Sequence, residues 1–340
     1  MIYMYKKVYV GFTFPHHVGT NAGYQHIKDY LSYDYMINCD KMIMKLNRKA
    51  VLWRRAYHFI SKSIWGFPIF PIHILKCILL GAFHNNLVYH FIHPENSFVN
   101  FRLYIRKGNK IVLTLHQPFE WYENRKWENR LKRADKLIIL SSSEEDLFVK
   151  KYGLEKVIFI PHGINTDFYH QDLSIKKEKM VLTVGNWLRD YSFANSVYKQ
   201  LIEIDSEIQV VAVCSSELAG LIDRNDRITC LSGISDEQLR NLYQKCAVLF
   251  LPLIRYTANN ALLEASACGC KILISSNFND NAYIPQKFIC TCLMDVDAAT
   301  KEIVECMASN TDNRLSEYIN EHYSWQVIAR RVEAEIAKLY

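Results

Sequence analysis

The residues best suited to chemistry lie in one short stretch, residues 256–270, which read YTANNALLEASACGC. An apolar run, AVLFLPL at 247–253, comes just before it and reads as a buried strand. The spacing predicts a helix starting between Thr257 and Asn260. The first backbone N–H groups of a helix have no intrahelical partner, and that end carries partial positive charge. With Tyr256 and Thr257 leading in and Asn259 and Asn260 at the start, this is a seat suited to an anion such as a diphosphate. Glu264 falls about one turn further on, where its carboxylate could accept both hydrogen bonds of a ribose diol. The same residues would also suit an ordinary capped helix.

Metal chemistry is not expected. Ten cysteines are scattered along the chain with two Cys-x-Cys pairs and no Cys-x-x-Cys pair, which does not match zinc-ligand spacing. His16, His17, His90 and His93 have no carboxylates at ligand spacing. No cofactor is expected, and the thiols read as free side chains in a reducing compartment.

Alternating strands and helices must position these residues. Apolar runs at 6–14, 86–93, 110–117 and 135–143 read as strands of a parallel sheet covered on both faces. After a polar stretch at 166–179 the alternation restarts with MVLTVGNW and continues through the site segment. The pattern predicts an α/β chain of two doubly wound, Rossmann-like domains facing across a cleft. The expected boundaries are a first domain over 1–165, a linker over 166–179, a second domain over 180–320, and a C-terminal helix over 321–340 that crosses back to the first domain.

Three segments carry a family resemblance: IPHGIN at the domain junction, LTVGNWLRDYSFANSVYKQLIE, and LFLPLIRYTANNALLEASACGCKILISS. In order and spacing they resemble the retaining GT-B glycosyltransferases of family 4 (glycosyl transferases group 1), most clearly over 110–340. The resemblance implies transfer of a sugar from a nucleoside diphosphate sugar to a glycan or lipid-linked glycan of the bacterial surface polysaccharide type, without a metal. It implies that Glu264 holds the donor ribose, and that Asn259 and Asn260 lie where backbone amides meet the pyrophosphate. Arg189 would neutralise the diphosphate and Gly185 would be the strand-end glycine. His116 would reach the donor sugar, and Gly19 would lie in the loop facing the phosphates and acceptor. Three positions depart from the family: Tyr256 stands in place of its first glutamate, Asn186 in place of an arginine, and Tyr191 in place of a lysine. Asp295-Val-Asp297 looks like the acidic metal motif of a different glycosyltransferase fold, without that fold's context.

Charge is divided unevenly. Residues 1–165 hold 24 Lys/Arg against 12 Asp/Glu, and residues 166–340 hold 17 against 23. Between 41 and 94 there are eight basic residues and no acidic one, interleaved with aromatics. This suits an anionic membrane surface, with contact through 41–83, better than a nucleic acid. No stretch has the run of apolar residues a spanning helix needs. A cytoplasmic protein, peripheral at the inner face of the plasma membrane, is the expectation. Two alternatives stay open: a non-catalytic membrane-surface binding protein of the same fold, and a nucleotide-sugar epimerase.

Overall fold

The computed structural model describes residues 5–14, 17–38, 40, 71–99, 108–255, 258–276, 284–309 and 314–340. In chain order the strands are β1 (Lys6–Gly11), β2 (Tyr35–Asn38), β3 (Leu87–Phe91), β4 (Lys110–Leu115), β5 (Lys136–Ile139), β6 (Val157–Phe159), β7 (Glu178–Val184), β8 (Gln209–Val213), β9 (Ile228–Leu231), β10 (Cys246–Pro252), β11 (Lys271–Ser275) and β12 (Cys290–Cys292). The helices are α1 (Ile27–Tyr30), α2 (Pro71–Phe83), α3 (Pro94–Ser97), α4 (Arg125–Leu131), α5 (Glu145–Tyr152), α6 (Tyr191–Ile204), α7 (Ser216–Ala219), α8 (Asp236–Lys245), α9 (Asn260–Ala267), α10 (Val296–Ala308), α11 (Arg314–Tyr323) and α12 (Trp325–Ala337).

The chain divides into two compact units: Met1–Gly163 together with Trp325–Tyr340, and Ile164–Ser324. The first contains a six-stranded sheet of order β2-β1-β3-β4-β5-β6, with every pair parallel. Its strands are apolar on both faces, as in the neighbouring buried pairs Val8 and Tyr9, Leu87 and Val88, and Ile111 and Val112, so helices must cover both sides. The C-terminal helix α12 belongs to this unit. Glu333 on α12 pairs with Lys7, and Glu335 lies 3.2 Å from the nearly buried Lys136. Tyr340 stacks on Tyr5 with ring centroids 5.2 Å apart.

The second unit contains a six-stranded parallel sheet of order β12-β11-β10-β7-β8-β9. The strand order reverses between β7 and β10. In open sheets of this kind, ligands bind beyond the carboxyl ends of the strands at such a reversal. Residues 166–179, expected as a linker, pack on this unit instead. Tyr169 is buried, Thr166 Oγ1 donates to Asn320 at 2.7 Å, and Gln244 Nε2 donates to His170 O at 2.9 Å. The polar composition of the segment hides these anchors. Asp295 and Asp297 act in ordinary helix chemistry: Asp295 caps α10 by accepting from Ala298 N at 2.9 Å, and Asp297 accepts from Gln200 Nε2 at 2.8 Å. No helix among the described residues is long and apolar enough to cross a membrane.

Candidate functional site

The reversal in the second sheet is where the chemistry-bearing residues meet. β7 ends at Val184, and Gly185 follows with φ +109°, a backbone region that side chains rarely adopt. A Cβ on Gly185 would lie 3.2–3.3 Å from the Arg189 guanidinium, so glycine gives that group its room. The loop continues through Leu188, with φ +56°, to Asp190, which caps α6 by accepting from Phe193 N at 2.9 Å. Asp190 N donates to Pro252 O at 3.0 Å, and Ile254 N donates to Leu188 O at 3.1 Å. These bonds fix the β7 loop against the exit of β10.

That exit leads to α9, whose N-cap is Asn259 and whose first residue is Asn260. The Asn259 side chain is buried, and its Oδ1 accepts from Leu262 N at 3.2 Å. The same oxygen accepts from Arg189 NH2 at 2.9 Å, while Arg189 NH1 donates to Trp187 O at 2.7 Å. Arg189 and Asn259 thus hold each other across the reversal. Two donors on this pair, Arg189 Nε and Asn259 Nδ2, are buried and meet no hydrogen-bond acceptor among the described residues. Burial lowers the Arg189 pKa from its ordinary value, but an arginine starts from so high a pKa that it keeps its charge at neutral pH. The N–H groups of Asn260 and Ala261 have no intrahelical partner in the first turn of α9. A positive charge, two unanswered side-chain donors and a helix start therefore share one place.

Glu264 lies on α9 one turn beyond Asn260 and is 5% exposed. Its Oε2 accepts from the buried Tyr243 hydroxyl, from α8, at 3.0 Å. Burial pushes the Glu264 carboxyl up to about 7, against a smaller downward pull from the Tyr243 hydrogen bond and a further rise from Asp236. One oxygen is therefore already engaged, and the group titrates near neutrality.

Two positions that depart from the family pattern have structural partners. Asn186 Oδ1 accepts from Ser215 N at 2.7 Å, tying the β7 loop to the start of α7. The buried Tyr191 hydroxyl donates to Gly185 O at 2.8 Å and supports the glycine turn from beneath. Tyr256 and Thr257 lie outside the described residues.

His116 and Gly19 belong to the first unit. His116 follows β4, and its Nε2 lies 2.6 Å from Ile92 O, so that nitrogen carries the proton. Glu95 Oε1 accepts from His116 N at 2.8 Å and from the Tyr122 hydroxyl. Burial holds the His116 pKa below the ordinary histidine value, against smaller upward pulls from Glu95 and from the Ile92 carbonyl. The ring lies 4.6 Å from that of His93 and 5.3 Å from that of Tyr24. His93 is buried and its Nε2 meets no partner among the described residues, and His162 packs on Tyr24 and Trp325. The histidines of this cluster follow β3, β4 and β6, beyond the carboxyl ends of the first sheet's strands. Gly19 has φ +79° in the loop after β1, with open space where a Cβ would go. Of the histidines that were considered for metal, His16 lies outside the described residues. No group of three or more His, Cys, Asp or Glu arranged to hold a metal occurs among the described residues.

Sequence reasoning did not pick out Tyr243 or His162, and it weighed His93 only as a metal ligand. Tyr243 reaches Glu264 from 21 residues away, a pairing that no local pattern announces. His93 and His162 follow β3 and β6, and only the tertiary fold brings His93 to His116 and His162 to Tyr24.

Comparison with known proteins places the chain among glycosyltransferase folds. The model of Glycosyltransferase Family 4 matches residues 45–168, just over a third of the chain. None of the curated proteins matches. Among solved structures, Anabaena Alr3699/HepE in complex with UDP is 11% identical with a TM-score of 0.69, covering 98% of this chain and 100% of that one. Sucrose-phosphate synthase from Thermosynechococcus elongatus is 18% identical with a TM-score of 0.61, covering 79% and 77%. The N-terminal domain of Candida albicans trehalose-6-phosphate phosphatase is 13% identical with a TM-score of 0.69, covering 100% and 98%. The two parallel six-stranded sheets match GT-B glycosyltransferase structures. The matched segment and the fold together support a glycosyltransferase.

Proposed function

We propose that the chain transfers a sugar from a nucleoside diphosphate sugar to a glycan or lipid-linked glycan, with retention of configuration and without a metal. The start of α9 and Arg189 receive the donor diphosphate, and Glu264 accepts from the ribose. The observation that carries this reading is the pair of buried, unanswered donors, Arg189 Nε and Asn259 Nδ2. Leaving a buried donor unpaired costs about 1–3 kcal/mol, and a phosphate oxygen would remove that cost. When the sugar leaves, negative charge builds on the diphosphate, and donors already aimed at it need no rearrangement. His116, with its neutral imidazole, is assigned to the donor sugar on the strength of the family resemblance. Retention and metal independence rest on that resemblance too.

The acceptor is assigned to the first unit. Contact with an anionic membrane surface at the cytoplasmic face is part of the same reading. Its support is the basic sequence over 41–83 and the face of α2, where Leu75, Leu79 and Phe83 are exposed at helical spacing. Residues 41–70 lie outside the described residues.

A non-catalytic role is the competing reading. It is favoured by Asn186 and Tyr191, which are engaged in holding the loop, and by the occurrence of this fold in a domain of a phosphatase. Incubation with nucleotide sugars and lipid-linked acceptors, with products weighed by mass spectrometry, separates the two. Transfer by the unmodified protein, reduced about 100- to 1,000-fold in Arg189→Ala, is the expected result. Full transfer by both Arg189→Ala and Glu264→Ala would refute the assignment. Turnover of donor with no acceptor present would indicate the epimerase.

A further inference from the structure

The second unit brings together two thiols that the donor reading does not use. Cys290 opens β12, which pairs with β11 at Leu273. Cys306 lies in the last turn of α10. Lys271, the first residue of β11, holds that turn: its Nζ donates to Cys306 O at 2.7 Å, to Met307 O at 3.2 Å and to Ser309 O. Both cysteines are thus anchored to one strand. Cys306 Sγ donates to Cys290 Sγ at 2.7 Å. A disulfide holds its sulfurs about 2.0 Å apart, so a small approach completes the bond. Cys306 is buried and Cys290 is partly exposed, so an oxidant from solvent meets Cys290 first. The hydrogen bond from Cys306 brings the Cys290 thiol down to about 7, against burial and the Glu302 and Glu305 carboxylates, with Lys271 adding to the downward pull. The thiolate is the attacking form of a cysteine, and a thiolate within reach of solvent and of a second thiol suits reversible oxidation. A second pair, Cys246 and Cys270, has its sulfurs 3.1 Å apart, but both of those thiols are buried.

We propose that Cys290 is an oxidation site for hydroperoxides, and that Cys306 resolves the product into a disulfide stapling β12 to α10. The Cys290 thiolate attacks the peroxide oxygen. An S–O bond forms, the O–O bond breaks, and the leaving oxygen takes a proton from solvent to depart as an alcohol or as water. Cys290 is then a sulfenic acid. The Cys306 sulfur attacks the Cys290 sulfur, the S–S bond forms, the S–O bond breaks, and hydroxide leaves with the Cys306 proton as water. The two thiols together lose two electrons, and the peroxide gains them. The new bond ties an edge strand of the sheet to a helix. It closes a loop over 291–305 and restrains the unfolded chain, so it stabilises the second unit. The oxidation does not depend on what the anion site binds.

The test is hydrogen peroxide added to the reduced full chain, with the remaining thiols alkylated and the tryptic peptides weighed. The expected product joins peptide 288–301 to peptide 302–314 through Cys290 and Cys306, and it forms before the exposed Cys230 is oxidised. The link should raise the melting temperature by about 6–12 °C, and dithiothreitol should reverse both changes. Cys292→Ser should keep the link, which sets aside the other cysteine of the same peptide. In Cys306→Ser the link should be lost and Cys290 should stop at the sulfenic acid, which dimedone traps. Oxidation of Cys230 while Cys290 stays a thiol, a link from Cys290 to any other cysteine, or a link without a rise in melting temperature overturns the proposal. Should Cys306→Ser fail to fold, the peptide link in the unmodified chain still decides.

Discussion

Replacing Glu264 by glutamine should make the protein more stable at alkaline pH and leave it nearly unchanged at acid pH. Burial raises the carboxyl from 4.5 to about 7 in the folded protein. Between those values the folded chain binds more protons than the unfolded one, so stability falls as pH rises. The stabilisation is fully present below 4.5 and is lost as pH climbs through about 7. At 1.36 kcal/mol per unit, the whole excursion is about 3 kcal/mol. Glutamine keeps the shape and an oxygen for the Tyr243 hydroxyl, and it has no charge to bury. The Glu264→Gln variant should therefore match the parent near pH 4.5 and exceed it by about 3 kcal/mol at pH 8. For a unit of this size that is roughly 6–12 °C in melting temperature. Scanning calorimetry of both proteins across this range reads the difference directly, because other titrating groups cancel between them. A difference that does not change with pH would refute the reasoning, since it would mean that the carboxylate is ionised and solvated throughout.

Other outcomes follow from the same contacts. Asn259→Ala should cost about 1 kcal/mol through the lost cap of α9 and should also weaken nucleotide binding, because it frees Arg189; denaturant unfolding and titration check the two effects separately. Gly185→Ala forces a side chain into a left-handed backbone and against the Arg189 guanidinium, so nucleotide affinity should fall even where the protein remains folded. Lys136→Met removes one of the two lysines that pair with Glu335 and leaves Lys338 in place, so it should destabilise the first unit by about 1 kcal/mol in urea unfolding. Leu75→Ser with Leu79→Ser should reduce sedimentation with phosphatidylserine vesicles several-fold while leaving the melting temperature in place; unchanged sedimentation would refute membrane contact through α2.

The parts of the chain that were legible in the sequence are those governed by local rules. The long strands of both sheets show as continuous apolar runs because both of their faces are covered. Asn259 could be read as the start of α9 because an asparagine before an apolar helix is a cap, and Glu264 could be read from its one-turn spacing. The short edge strands β2 and β12 were missed, since three or four residues with mixed exposure carry no period. The segment 166–179 read as a linker because its composition is polar; its anchors, such as Gln171 packed where Gly269 lacks a side chain, are tertiary. The hold of Tyr243 on Glu264 and of Ser215 on Asn186 was invisible for the same reason. The motif resemblance was strongest over 110–340, whereas the family model matches 45–168. The loops and helix starts of the second unit carry short motifs, while all but the last five residues of the matched segment lie in the first.

The central claim is that the start of α9 and Arg189 receive a phosphate. Amide and side-chain N–H resonances, followed while UDP, ADP or GDP is added to isotope-labelled protein, test it most directly. The account predicts that Arg189 Nε, the Asn259 side-chain amide and the backbone N–H groups of Asn260 and Ala261 move together on a single binding curve. Binding that shifts other resonances while these four stay in place would contradict it.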